Sequence, residues 1–299
     1  MRSQNRVHDR DSFFKYVSAA TALLILQRCT LRWSSPILFN DPFDVPRELS
    51  FGISSADIVR ACSRRMASLI EEPPEDTSDL EPKVRLIVET VKRGITSELR
   101  AQLLAGLEDL SETHRPPGES MEEFRKMWRE LLPNFRILCL TESPAHAAMW
   151  YHYADRYTGV VIELRCDDDL DSAWLAARPV SYAIGKPAVY TADGWAKYLT
   201  TDKMLALERM LHDATFTKSP DWSYEREWRI TSFKGPRDTG PFTDYRLNPS
   251  EVAAVYLSPK TAPADKVALI AIAALYPGVR LFDVSIGMNR EFAFIQVGG

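Results

Sequence analysis

The sequence predicts an α+β (mixed α/β) fold, with a mixed-sheet core and one helical insertion. Three observations predict it. Short, β-prone apolar runs such as FRILCLTE (135–142), GVVIELR (159–165) and VAAVYLSP (252–259) read as buried strands. In IVRACSRRMASLI (58–70) and VRLIVETVKRGITSELRAQLLAGL (84–107), apolar residues recur at spacings of three and four, as on one face of a helix. These helical patterns are concentrated in one stretch. The chain therefore reads as a single domain over 1–299, with its core in 13–51 and 133–299 and a helical insertion at 52–132.

Residues 1–12 are polar and are expected to be loose. FFKYVS (13–18) reads as a strand, with Thr21 placed to cap the helix TALLILQRC. LRWSSPILFNDPFD (31–44) runs from a strand into a turn at Asn40-Asp41-Pro42, where an Asx side chain and a fixed proline φ favour reversal. The insertion alternates amphipathic helices with the loops EEPPEDTSDLEP and SETHRPPGES. After the strand 135–142, Ser143-Pro144 resembles an N-cap and first helical residue, opening a helix through AHAAMWYHYADRY that closes near Gly159. Weaker strands follow at PVSYA and AVY, then a helix over about 192–213, then WSYEREWRITSF (222–233) as one strand. Strand, helix and strand complete the chain at 252–286.

With 37 basic and 41 acidic residues among 299, the formal charge is −4, which makes no case for nucleic-acid binding. The four cysteines form no CxxC pair, so no zinc motif is present and reduced thiols in a cytoplasmic protein are expected. The most apolar stretch, VALIAIAALY (267–276), falls short of the roughly 20 residues that span a bilayer, so no membrane association is expected.

DWSYEREWRI (221–230) carries the strongest chemical signal. Read as a strand, it places Trp222, Tyr224 and Trp228 on one face and Glu225, Glu227 and Arg229 on the other. The charged row is either an exposed ion ladder or the wall of a polar site. As an exposed row, either acid is removable for about 0.5 kcal/mol or less. Two further stretches mix aromatic and polar groups where a plain core uses Leu, Ile and Val. They are LFNDPFD, with Phe39, Asn40, Asp41 and Phe43, and MWYHYAD, with Trp150, His152 and Tyr153. Trp150 and Tyr153 also fit a core-facing helical stripe, and His152 a satisfied core histidine. The three blocks are expected to converge on one concave site.

KYVS, LRWSSPILFNDPFD, CLTESPAHAAMWYHYADRYTGVVIEL, KSPDWSYEREWRI and VAAVYLSP together resemble the bacterial domain-of-unknown-function family twenty-nine seventy-one, with Tyr157 where that family commonly has histidine. The order of parts also resembles the ADP-ribosyltransferase superfamily: Tyr16 and Ser18 on a first strand, a helix of TALLILQRC type, a central aromatic block, and a late acid pair. That resemblance implies a split sheet and NAD as substrate. It makes Glu227 the catalytic acid, Glu225 the residue that polarises the nucleophile, and Tyr16, Ser18, Trp150, His152 and Tyr153 binding residues, to which the polar-aromatic blocks add Phe39, Asn40, Asp41, Phe43 and Arg229. Families with scattered, poorly characterised members make an effector or toxin of bacterial conflict, such as phage defence, the expected setting, although no residue here shows it. Two other readings stay open. One is a metal-dependent nuclease or phosphoesterase using Asp41, Asp44, Glu142, Glu225 or Glu227. The other is a sensor that binds a nucleotide or protein, with a protein partner met through the insertion.

Overall fold

The fold is described from a computed structural model that covers residues 2–41, 44–47, 53–113, 118–183, 187–289 and 291–297. In chain order the elements are β1 (Ser12–Val17), α1 (Ala19–Arg28), β2 (Thr30–Ser34), α2 (Ser55–Glu71), α3 (Pro82–Lys92), α4 (Ser97–Thr113), α5 (Gly118–Leu131), β3 (Phe135–Thr141), α6 (Ala147–Tyr153), β4 (Val160–Arg165), β5 (Arg178–Pro179), β6 (Ser181–Tyr182), α7 (Ala192–Leu199), α8 (Lys203–Thr215), β7 (Thr217–Lys218), β8 (Glu227–Phe233), β9 (Phe242–Arg246), β10 (Val252–Leu257), α9 (Pro263–Ala273), β11 (Arg280–Ile286) and β12 (Phe292–Gln296). The result is α+β with a mixed sheet, as the patterning predicts.

The elements fall into two compact units. One comprises residues 1–40, 132–182 and 218–299; the other comprises 41–131 and 183–217. The second unit is helical: α2 packs against α3, α4 and α7, and the Phe124 and Trp195 rings meet edge-on at 5.6 Å. It takes in residues 183–217 in addition to the stretch read as an insertion.

The first unit is built on a sheet ordered β12-β11-β10-β4-β1-β3-β2-β9, with β8 also on β3 and β5 on β8. Among the described residues, only β10 and β11 run parallel. β1 and β3 meet at a single register pair, Phe14 with Thr141, whereas β3 and β8 pair along seven residues. Strand alternation gives this sheet two different faces. Phe13, Val17, Val160, Ile162, Leu164, Val255 and Leu257 pack against Ala22, Ile25 and Leu26 of α1 and Leu269 and Ala273 of α9. The opposite face carries Phe14, Tyr16, Val161, Ala254 and Tyr256 from β1, β4 and β10, covered by Met149, Trp150 and Ala154. Residues directly opposite in register share a face. Phe14 pairs with Thr141, Thr141 with Glu227, and Cys139 with Arg229, so the Glu227 and Arg229 side chains rise from this second face.

Several local expectations are corrected. Ser18, not Thr21, caps α1, accepting from the Thr21 amide at 3.2 Å. AVY forms a short 3-10 helix rather than a strand, and the helix expected over 192–213 is interrupted between Leu199 and Lys203. α6 starts at Ala147, beyond Ser143-Pro144, because the Ser143 hydroxyl instead closes a local turn onto the Ala145 amide at 3.0 Å. The N-terminal residues are not loose. The Arg6 guanidinium forks onto both oxygens of Asp168 at 2.8 Å, and His8 is buried beneath the Trp174 carbonyl.

Candidate functional site

The stretch read as one strand over 222–233 is two elements. Ser219 accepts from the Asp221 amide, and Pro220 supplies the preset φ that opens a 3-10 turn over Pro220–Glu225. Arg226 then sits in the left-handed region at φ 43°, ψ 51°, and β8 begins at Glu227. The alternation expected to put Trp222 and Tyr224 with Trp228 therefore fails, since it applies only from Glu227 onward.

The two acids do converge, and they are not an exposed ladder. Glu225 is 3% exposed, Glu227 6%, and Arg229 and Lys218 are also buried. Arg229 grips Glu227 through two bonds, Nε to Oε1 at 2.8 Å and Nη2 to Oε2 at 2.9 Å. Lys218 Nζ bridges the acids, 2.6 Å from Glu225 Oε2 and 3.2 Å from Glu227 Oε2. The Tyr153 hydroxyl donates to Glu225 Oε1 at 2.5 Å. Every carboxylate oxygen thus has a donor, and among the described residues Lys218 and Arg229 are the cations that meet the two acids. The backbone is held too: Thr141 Oγ1 donates to the Glu225 carbonyl at 2.6 Å, and the Glu227 amide donates to the Tyr182 hydroxyl at 2.8 Å.

Electrostatics separates the two acids. Burial raises the Glu225 carboxyl above its ordinary range, with Lys218 opposing and the Glu227 charge adding to the rise. Burial also pushes Glu227 upward, but Arg229 and Lys218 outweigh it and hold this carboxyl below its ordinary range. The two neighbouring carboxyls are thus pushed in opposite directions, Glu227 toward the ionised form and Glu225 toward the protonated one.

α6 supplies the wall. Trp150 is fully buried, donates Nε1 to the Pro144 carbonyl at 2.8 Å and meets the Tyr16 ring edge-on at 5.4 Å. The Tyr16 hydroxyl in turn donates to the Ser143 carbonyl at 2.9 Å. α6 ends at Tyr153, earlier than Gly159 suggests, and Asp155, Arg156 and Tyr157 follow with φ of 48°, 54° and 70°, one left-handed turn. The Tyr157 hydroxyl ties this turn back to the Ala147 carbonyl at 2.9 Å. Around the acid pair lies an aromatic rim. His146 stacks on Tyr224 at 5.6 Å and 21°, and His152 and Trp222 lie 6.2 and 6.0 Å from Tyr224. His152 is exposed, so it is not a core histidine.

Of the residues singled out in the sequence, Tyr16, Trp150, His152, Tyr153, Glu225, Glu227 and Arg229 belong to this one neighbourhood. Phe39 joins it, with the Arg229 guanidinium carbon 5.5 Å from its ring centroid. Ser18 serves as the α1 cap. Asn40 is exposed, Asp41 and the buried Asp44 belong to the helical unit, and Phe43 lies outside the described residues. Glu142 accepts from Trp228 Nε1 at 2.9 Å and lies 3.8 Å from Arg10, apart from the acid pair. Lys218, Tyr182, Thr141, His146 and Tyr224 were missed as site residues. Lys218 opens the KSPDWSYEREWRI block, so a search of that block for the cation opposing two close acids finds it.

A family model described as "Protein of unknown function (DUF2971)" matches residues 149–230. The matched stretch runs from Met149 in α6 to Ile230 in β8 and so includes Tyr153, Tyr182, Lys218 and both acids. The chain is similar to that family over these residues. No curated protein and no solved structure matches the chain. Among the described residues, no helix is long and apolar enough to cross a membrane, and no group of three or more His, Cys, Asp or Glu side chains is arranged to hold a metal ion.

Proposed function

We propose that this chain is an ADP-ribosyltransferase-like enzyme that cleaves the nicotinamide–ribose bond of NAD, with Glu225 as the carboxylate that meets the substrate. The observation that carries the reading is the Glu225 carboxyl, buried between the Tyr153 hydroxyl and the Lys218 ammonium beneath a rim of His146, Tyr224 and His152. In the reaction, the bond from ribose C1′ to the nicotinamide nitrogen breaks and its electron pair leaves with nicotinamide, which becomes neutral. Positive charge builds on C1′, where a fixed carboxylate in a dry site stabilises it most. Water or an acceptor hydroxyl then bonds to C1′ and gives its proton to Glu225. A raised pKa suits that last role, because a more basic carboxylate takes a proton more readily. The roles expected from the resemblance are thereby exchanged: Glu227, doubly held by Arg229, fixes Lys218 and the β8 backbone. The rim rings offer planar surfaces for nicotinamide or adenine.

A metal-dependent phosphoesterase draws less support, since Glu142 is engaged by Trp228 Nε1 apart from the acid pair, and among the described residues no group of three or more His, Cys, Asp or Glu side chains is arranged to hold a metal ion. The test is nicotinamide release from NAD by the purified chain. Glu225→Gln, which keeps shape and removes charge, is expected to lower the rate about 100-fold, with the melting temperature measured alongside. No release above the uncatalysed rate, or full activity in Glu225→Gln, rejects the reading.

A further inference from the structure

Arg226 stands between the two acids in a conformation that its side chain disfavours. At φ 43° it occupies the left-handed region, which brings the Cβ of a non-glycine residue close to the following carbonyl oxygen. Glycine or asparagine would take this position with less strain. The backbone reversal itself is required, because it sends Glu225 toward Tyr153 and lets Glu227 enter β8. An arginine there is not required by packing: it is exposed, and among the described residues no carboxylate pairs with its guanidinium. The neighbouring acids are unavailable to it, since Lys218, Arg229 and Tyr153 already hold them. Arg226 follows Tyr224 by two residues, and His146 stacks on the Tyr224 ring at 5.6 Å. His146 Nδ1 is itself buried without a hydrogen-bond partner, beside the Tyr224 ring it stacks on. An unpaired cation, two stacked rings and an orphaned ring nitrogen therefore lie together at the edge of the acid pair.

We propose that Arg226 is the phosphate-binding residue of this site, receiving the phosphates of a nucleotide whose ring lies against the His146–Tyr224 stack. The proposal rests on the NAD reading and deepens it, because it names the residue that meets the pyrophosphate. A guanidinium presents a planar fork that matches phosphate oxygens, and strain at an exposed residue is a recurrent mark of a ligand contact.

Calorimetric binding of ADP-ribose, adenosine and inorganic pyrophosphate to the intact chain tests it without reliance on turnover. The wild type should bind ADP-ribose more tightly than adenosine or pyrophosphate. Arg226→Gln should weaken ADP-ribose about tenfold and leave adenosine unchanged. Arg226→Gly removes the backbone strain, so it should melt no lower than wild type while losing the same ADP-ribose affinity, which separates the guanidinium from folding. Equal ADP-ribose affinity in wild type and Arg226→Gln, or pyrophosphate binding as tightly as ADP-ribose, overturns the proposal. If Arg226-dependent ADP-ribose binding is found without nicotinamide release, the catalytic reading fails and this one stands.

Discussion

The Tyr153 hydroxyl, on the last residue of α6, donates to Glu225 Oε1 at 2.5 Å across 72 residues of sequence. This bond favours the ionised carboxyl, so it opposes the burial that raises the Glu225 pKa. Tyr153→Phe deletes the donor while keeping the ring. The Glu225 pKa should then rise further, and the acidic limb of the kcat/KM profile for nicotinamide release should move to higher pH. A pH–rate series on both proteins measures the limb. A limb that stays in place, or moves to lower pH, separates Tyr153 from Glu225 and removes the proton-exchange role assigned to the acid.

Gly159 ends the left-handed turn that follows α6, and its role there is space rather than positive φ. A Cβ at this position would meet the Val17 carbonyl oxygen at 2.2 Å and the Ala154 carbonyl oxygen at 2.9 Å, both rigid backbone. Gly159→Ala should therefore cost about 1–3 kcal/mol as overpacking. Gly106, inside α4, has nothing within 4 Å of a built Cβ, and Gly106→Ala should stabilise by about 0.5–1 kcal/mol through helix propensity. Thermal unfolding of the two variants should shift in opposite directions. A shift of the same sign in both contradicts the packing account.

The N-terminal segment gives a pH-dependent expectation. Hydrogen bonding from Arg6, and then from the Ser3 amide, lowers the Asp168 carboxyl to about 2 from its ordinary 3.8. A depressed carboxyl contributes stability above its unfolded pKa and loses it as pH falls through the folded one. The contribution of this pair is thus complete above pH 3.8 and disappears toward pH 2. The melting temperature of wild type should exceed that of Asp168→Asn at pH 6, and the two should converge as the pH falls to about 2. A gap that persists at the lowest pH assigns the effect to packing instead.

The contrast between what the residue pattern predicted and what it did not has a physical basis. β3, β4 and β10 were legible because each is an apolar run of strand length, buried along nearly its whole length and too short for a typical helix. The acid pair was legible as chemistry but not as geometry. Strand alternation stops at Arg226, and the turn signal before it is only the short pair Ser219-Pro220, which opens the 3-10 turn within an aromatic-rich stretch that also fits a strand. Burial of the pair was invisible for another reason. It depends on Tyr153 and Lys218, which lie 72 and 7 residues from Glu225 and reach it only once α6 covers the sheet. The anchored N-terminus shows the same limit, since the Arg6–Asp168 fork closes over 162 residues.

The last expectation concerns Glu227 and Arg229, and burial reverses the outcome foreseen for an exposed row. Among the described residues, Lys218, Arg229, Glu225 and Glu227 form a buried set of two positive and two negative groups. Glu227→Gln leaves an excess positive charge there, and Arg229→Gln an excess negative one. Breaking one partner of such a pair typically costs about 3–5 kcal/mol, since the remaining charge is still desolvated. Each single variant should therefore melt well below wild type, rather than near it. The double variant restores charge balance with two amides of similar shape, so its loss should fall short of the summed single losses by about 1–3 kcal/mol. Urea unfolding of the four proteins measures this coupling directly. Additivity within about 0.5 kcal/mol would mean that the two side chains do not share a buried charge balance. The locked role of Glu227, and with it the choice of Glu225 as the reactive acid, would then lose its basis.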